Sequence, residues 1–157
     1  MLKNLLLVFA VLFFTSCSLK RNINFSAPYK IVIKTQKIAI ADSGFVRKAD
    51  GYKSIEIFTT GFLALHVELG VDACINGYCT DRLDFNKRFF GYKHYKSLLD
   101  DILDKKEIYG GVDKIKTKDG FEQRVERKKY NIIYRVSDKK IYFKDRINHI
   151  LIKLTRL

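Results

Sequence analysis

The sequence predicts an α+β fold: a large curved antiparallel sheet with one main helix laid against it. Two observations carry that reading. Apolar residues alternate with polar ones at a period of two in run after run, from Tyr29 to Leu69 and again from Val112 to Leu154. The runs are separated by short turns, which join strands in antiparallel pairs. Between these two series the period changes. Tyr95, Leu98, Leu99, Ile102 and Leu103 form the single stripe of an amphipathic helix, backed by Lys96, Asp100, Asp101, Asp104 and Lys105.

The chain opens with Lys3, an apolar run from Leu5 to Phe14, and the small residues Thr15-Ser16 before Cys17. That is the layout of a secretory signal, and the run is short of the roughly twenty residues a membrane-spanning helix needs. Phe14-Thr15-Ser16-Cys17 resembles a bacterial lipoprotein signal, in which the cut falls before the cysteine and the cysteine is then acylated. The resemblance implies a signal peptide over residues 1–16, a lipidated Cys17 with a tether to residue 27, and one folded domain over 28–157. An ordinary secretory signal with an incidental cysteine is the alternative, but a thiol left free after export is an oxidation liability. Two or three acyl chains hold a protein firmly where one is marginal. Ser18-Leu19, with no aspartate after the cysteine, resembles the outer-membrane address, facing the periplasm.

In the domain, Tyr29 to Ala41 reads as one or two strands, and Asp42-Ser43-Gly44 as a turn before the short apolar patch Phe45-Val46. Tyr52–Thr59 and Phe62–Leu69 read as strands around Thr60-Gly61, with Leu63, Leu65, Val67 and Leu69 on one face. Leu83 to Tyr92 is ambiguous: Phe85, Phe89 and Phe90 have helical spacing, but Gly91 counts against a helix. After Gly110-Gly111 come strands over Val112–Thr117, Phe121–Arg127, Tyr130–Val136, Lys140–Phe143 and Asn148–Leu154.

Cys74 and Cys79 enclose Ile75-Asn76-Gly77-Tyr78, and Asn-Gly is a strong two-residue hairpin signal. With Ile75 and Tyr78 closing the turn, the cysteines face each other in the next, non-hydrogen-bonded pair, about 4.5 Å apart at Cα. A structural disulfide follows. Redox function is the rival, but four intervening residues are not those of a Cys-x-x-Cys motif.

The chain has 157 residues, with 30 Lys+Arg against 17 Asp+Glu. Only Lys3 lies in residues 1–16, so the remainder carries 29 cations against 17 acids, or +12. Such a charge suits nucleic acid or an anionic membrane surface. Export argues against nucleic acid and leaves anionic lipid headgroups; the bland alternative is a well-solvated basic surface. No phosphate-binding glycine loop, nucleophile elbow or His-Glu-x-x-His helix is present, and His66, His94 and His149 lie far apart. Asp100, Asp101 and Asp104 read as a solvated helix face. The sequence therefore offers no catalytic residue, metal or cofactor site, and the expectation is a non-enzyme.

The order of elements resembles the LolB-like family of outer-membrane lipoproteins, within the LolA/LolB carrier superfamily. Ile55 to Leu65 looks like that family's strand, protruding loop, glycine and next strand. Tyr95–Leu103 with Gly110-Gly111 looks like its mid-chain helix and turn, and Asn131–Tyr134 through Ile150–Leu154 like its closing hairpins. The resemblance implies an incomplete β-barrel whose concave apolar face binds acyl chains, with the helix packed on or over that face. It also implies that the protein receives or inserts lipoproteins or lipids. The acyl-chain contacts it suggests are Leu63, Leu65 and Val67, with Phe58 and Phe62 at the rim or loop tip. Thr60 stands where the family's inserting leucine would be. The alternative is a non-enzymatic accessory or scaffold lipoprotein of an envelope complex.

Overall fold

A computed structural model describes residues 22–157; the signal and Cys17 lie outside the described residues. The alternating runs assemble into an 11-stranded, curved, antiparallel sheet that does not close. In chain order the strands are β1 (Phe25–Lys34), β2 (Ala39–Ala49), β3 (Tyr52–Thr59), β4 (Phe62–Leu69), β5 (Ala73–Ile75), β6 (Tyr78–Thr80), β7 (Ile115–Thr117), β8 (Gly120–Arg127), β9 (Tyr130–Ser137), β10 (Lys140–Asp145) and β11 (Ile150–Arg156). Two helices, α1 (Arg82–Phe90) and α2 (Leu98–Leu103), interrupt the series after β6. Across the sheet the order is β6-β5-β4-β3-β2-β1-β11-β10-β9-β8-β7, so every neighbour is a hairpin partner except the central β1–β11 pair.

Directly opposite residues in an antiparallel pair share a face, so the registers sort the side chains. Ile31 and Ile33 pair through Leu154 and Ile152 to Ile141 and Phe143, then to Val136 and Tyr134. All of these are buried, and the apolar sides of both helices pack on the same face. The other face of β1, β11 and β10 is left without a covering layer among the described residues. Tyr130, Ile132, Tyr134 and Val136 thus point toward the helices.

Several expectations are corrected. β1 begins at Phe25, three residues before Pro28, and Ala27 is already buried, so part of the expected tether belongs to the sheet. Asp42-Ser43-Gly44 does not turn the chain; β2 runs straight through it. Gly44 is there because a Cβ at that position would sit 2.0 Å from the Glu56 carbonyl oxygen. The real turn lies earlier, where the Thr35 hydroxyl accepts from the Lys37 and Ile38 amides at 3.1 and 3.0 Å.

The ambiguous Phe-rich stretch is a helix. Asp81 caps α1 by accepting from the Leu83 and Asp84 amides at 2.9 and 3.2 Å. Gly91, at φ 76°, ends it in a left-handed conformation that glycine adopts without strain. The expected main helix shrinks to the six residues of α2, so two short helices replace one long one. The connection to β7 is fastened by buried Gln123, whose amide accepts from Ile108 N at 2.8 Å and donates to Ile108 O and Val112 O at 3.0 and 2.9 Å. That is nearly full use of a primary amide's hydrogen-bonding capacity inside the core.

Candidate functional site

The β3–β4 hairpin turns on Thr60 and Gly61, both at positive φ (50° and 86°), the geometry that matches the twist of two paired strands. Ile57 pairs with Leu65 but Phe58 pairs with Leu63, so Ala64 is an extra, bulged residue. The bulge overturns the period-two reading of β4. Leu65 and Val67 face the helices and are buried at 3% and 0% exposure, whereas Leu63 turns to the opposite face, beside Phe58. These three residues therefore do not form one row of contacts. The hairpin instead ends in an apolar tip, with Phe62 78% and Leu63 50% exposed. Phe58 meets Phe45 edge-on at 6.2 Å, and the Arg47 guanidinium lies 5.2 Å from the Phe45 ring.

The helix-covered face is filled by Phe85, Phe89 and Phe90 of α1 and by Leu98, Leu99, Ile102 and Leu103 of α2. Phe85 stacks on Phe89 at 5.2 Å, and Phe90 meets Phe143 of the sheet at 5.6 Å. The two helices are held by different chemistry at different places.

Along α2, from its first turn to its C-cap, the contacts are ionic. Lys48 Nζ lies 2.9 Å from Asp104, and Lys53 Nζ lies 3.2 Å from Asp100 and 3.4 Å from Asp104. Arg82 of α1 also pairs with Asp100. Burial works against the Asp104 carboxylate, but Lys48, Lys53 and Lys106 outweigh it and hold its pKa below the usual range. Asp100 and Asp104 are thus clamps between helix and sheet rather than a solvated face.

Between the helices, the contacts are aromatic. Buried His94 shares a hydrogen bond from Nδ1 with the Tyr109 hydroxyl, and its ring packs 5.1 Å from Tyr130. Tyr109 stacks on Tyr130 at 5.2 Å. Burial pushes the His94 pKa down to about 4, against the opposing pull of Asp145. Asn86 of α1 donates to the Tyr95 carbonyl at 2.7 Å and fixes the loop to the helix.

Beside α1, where the β1–β2 turn meets the β5–β6 hairpin, lies a half-open cavity of about 280 Å³. Ile38, Ile75, Tyr78 and Phe85 supply its apolar wall, and Lys37 and Arg88 are its cations. The hairpin wall is cross-linked. Cys74 and Cys79 are disulfide-bonded across their pair, Cα atoms 3.9 Å apart, as the turn at Asn76-Gly77 predicts. Asn76 ties the turn back to β4, accepting from His66 N through Oδ1 at 2.7 Å and donating to His66 O at 2.8 Å. This cavity was not among the sequence-derived sites. Its residues come from four separate elements, and no spacing in the sequence joins them.

Comparison with protein-family models, with curated proteins and with solved structures finds no match to this chain.

Proposed function

We propose that this chain is an outer-membrane lipoprotein, anchored through Cys17 and facing the periplasm, that takes acyl chains into an apolar cavity. In this reading the open sheet is an incomplete barrel of the LolB-like kind. Its concave face is the helix-covered one, and α1 and α2 form a lid. The observation that carries the proposal is the cavity beside α1. Ile38, Ile75, Tyr78 and Phe85 offer a tail an apolar wall, and Lys37 and Arg88 stand ready for a headgroup phosphate. Entry there leads toward Phe89, Leu65 and Val67, which a tail reaches once the helices shift. The exposed tip at Phe62 and Leu63, with half-buried Phe58 behind it, supports a role for the hairpin in delivering cargo to a bilayer.

Nothing covalent is needed. Transfer is driven by differences in buried apolar area, at about 25 cal/mol per Å². The client is a lipid or the acyl chains of another lipoprotein.

The test is mass spectrometry of the protein extracted from its native membrane. Acylated Cys17 and a stoichiometric lipid are expected together. Arg88→Glu, at an exposed position, should lower the bound lipid without unfolding the protein, and Ile75→Glu should abolish it. A protein that begins elsewhere than residue 17, or that carries no lipid in wild type, would sink the proposal. In the second case a scaffold, whose filled interior never opens, becomes the better reading.

A further inference from the structure

The strand registers place five lysines in a regular array on the face away from the helices. Lys30 pairs with Thr155, and Thr155 with Lys140; Lys34 pairs with Leu151, and Leu151 with Lys144. These four lysines mark the corners of a rectangle two strand spacings wide, about 10 Å, and four residues long, about 13 Å. Lys153 occupies its centre, flanked by Val32 and Tyr142. Among the described residues none of the five makes an ion pair. On β2, β1, β11 and β10 this face carries no acidic side chain; β2 contributes Ala39, Ala41, Ser43, Phe45 and Arg47. The flanking acids on this face are already paired, Glu56 of β3 with Arg47 and Glu122 of β8 with Arg124 and Arg135.

Like charges with no anion between them repel one another, Lys140 being eased only by the Tyr142 ring 5.8 Å away, and a sheet face needs only polarity to stay in water. An array of this kind is therefore poised for a multivalent anion. The apolar tip decides which kind. Phe58 and Leu63 lie on the same face of the sheet as the lysines, because the Ala64 bulge turns Leu63 to that side. Cations for phosphates together with exposed apolar side chains on one surface are the two components of peripheral binding to a bilayer. A soluble polyanion would use only the first.

We propose that the Lys30–Lys34–Lys140–Lys144–Lys153 face docks flat on an anionic lipid bilayer, with the Phe58–Leu63 hairpin tip at its edge. The docking does not depend on the acyl cavity or on the lipid anchor, and its failure would leave the carrier reading standing.

The test uses the mature chain, residues 17–157 with Cys17→Ser, cosedimented with vesicles of phosphatidylcholine alone or mixed with phosphatidylglycerol. Binding to the anionic vesicles should exceed binding to the neutral ones and weaken as salt is raised. Each lysine at the surface is worth about fivefold, so Lys144→Gln with Lys153→Gln should lower the partition roughly thirty-fold. Lys118→Gln with Lys128→Gln removes the same charge from turns and should change it little. Equal losses from the two double variants, or no preference for anionic vesicles, would overturn the proposal. So would binding of a single-stranded oligonucleotide through the same lysines with no vesicle binding.

Discussion

Lys53 of β3 reaches both Asp100 and Asp104 of α2, with Nζ 3.2 Å from one carboxylate and 3.4 Å from the other. One strand residue thereby bridges successive turns of a helix too short to be stable alone. Lys53→Met should destabilise the protein by about 1 kcal/mol in urea titration, since it removes the cation shared by two partly buried carboxylates and leaves Asp100 to Arg82 and Asp104 to Lys48 and Lys106. Hydrogen exchange locates the effect: the Ile102 and Leu103 amides should exchange faster, and those of β10 and β11 should not. A uniform change across the sheet would mean that the pairs stabilise the whole fold rather than the helix.

His94 gives stability a pH dependence of known sign. Its pKa falls from 6.5 to about 4 on folding, so the unfolded chain binds the proton more readily. Stability should decline as the pH is lowered from about 6.5 to about 4 and then level off, a loss on the order of 3 kcal/mol. The groups facing the ring are Tyr92, Tyr109, Tyr130 and Phe90, with Asp145 acting through its charge. Asp104, depressed by its lysines, contributes stability that is lost at lower pH still, as it protonates. His94→Phe should flatten the upper part of the curve in denaturation measured from pH 7 to 4. An unchanged slope would place the titrating group elsewhere.

Most of the strands and the hairpin disulfide are legible in the residue pattern, because alternation and an Asn-Gly turn are local signals; β2, read as a turn and a short apolar patch, is the exception. What escaped that pattern was set by contacts between distant elements. Gly44 looked like a turn residue, yet it answers to the Glu56 carbonyl across the sheet. Asp100 and Asp104 looked like solvent-facing acids because nothing local announces Lys48 and Lys53. The Ala64 bulge carries no local mark in Leu63-Ala64-Leu65, so strict alternation puts Leu63 on the wrong side. Asp81 and Gly91, by contrast, are legible caps, and reading Gly91 as a terminator would have recovered α1.

Gly44→Ala tests the close approach of β2 and β3. The added methyl must displace backbone rather than a mobile side chain, so a loss of about 1–3 kcal/mol is expected by urea or thermal denaturation. Gly61→Ala, with open space around its Cβ but φ at 86°, should cost less, about 1 kcal/mol of backbone strain. Equal costs would remove the steric account of Gly44.

The Cys74–Cys79 bridge closes so small a loop that its entropic contribution is limited to about 2 kcal/mol. Asn76 already joins the hairpin to His66. Replacing both cysteines by alanine should therefore leave the protein folded, with a modest fall in thermal midpoint and unchanged circular dichroism. Complete unfolding would show that the bridge, not the turn, sets the register.

Tyr29 pairs with Arg156, so the first strand has the last one as its neighbour in the middle of the sheet. A ribosome releases these two at opposite moments. Until the C-terminal hairpin emerges, β1 has one side unmatched and the two halves of the sheet have no seam. Contacts so remote in sequence form slowly, so the seam that joins the two halves is the last part of the sheet to close.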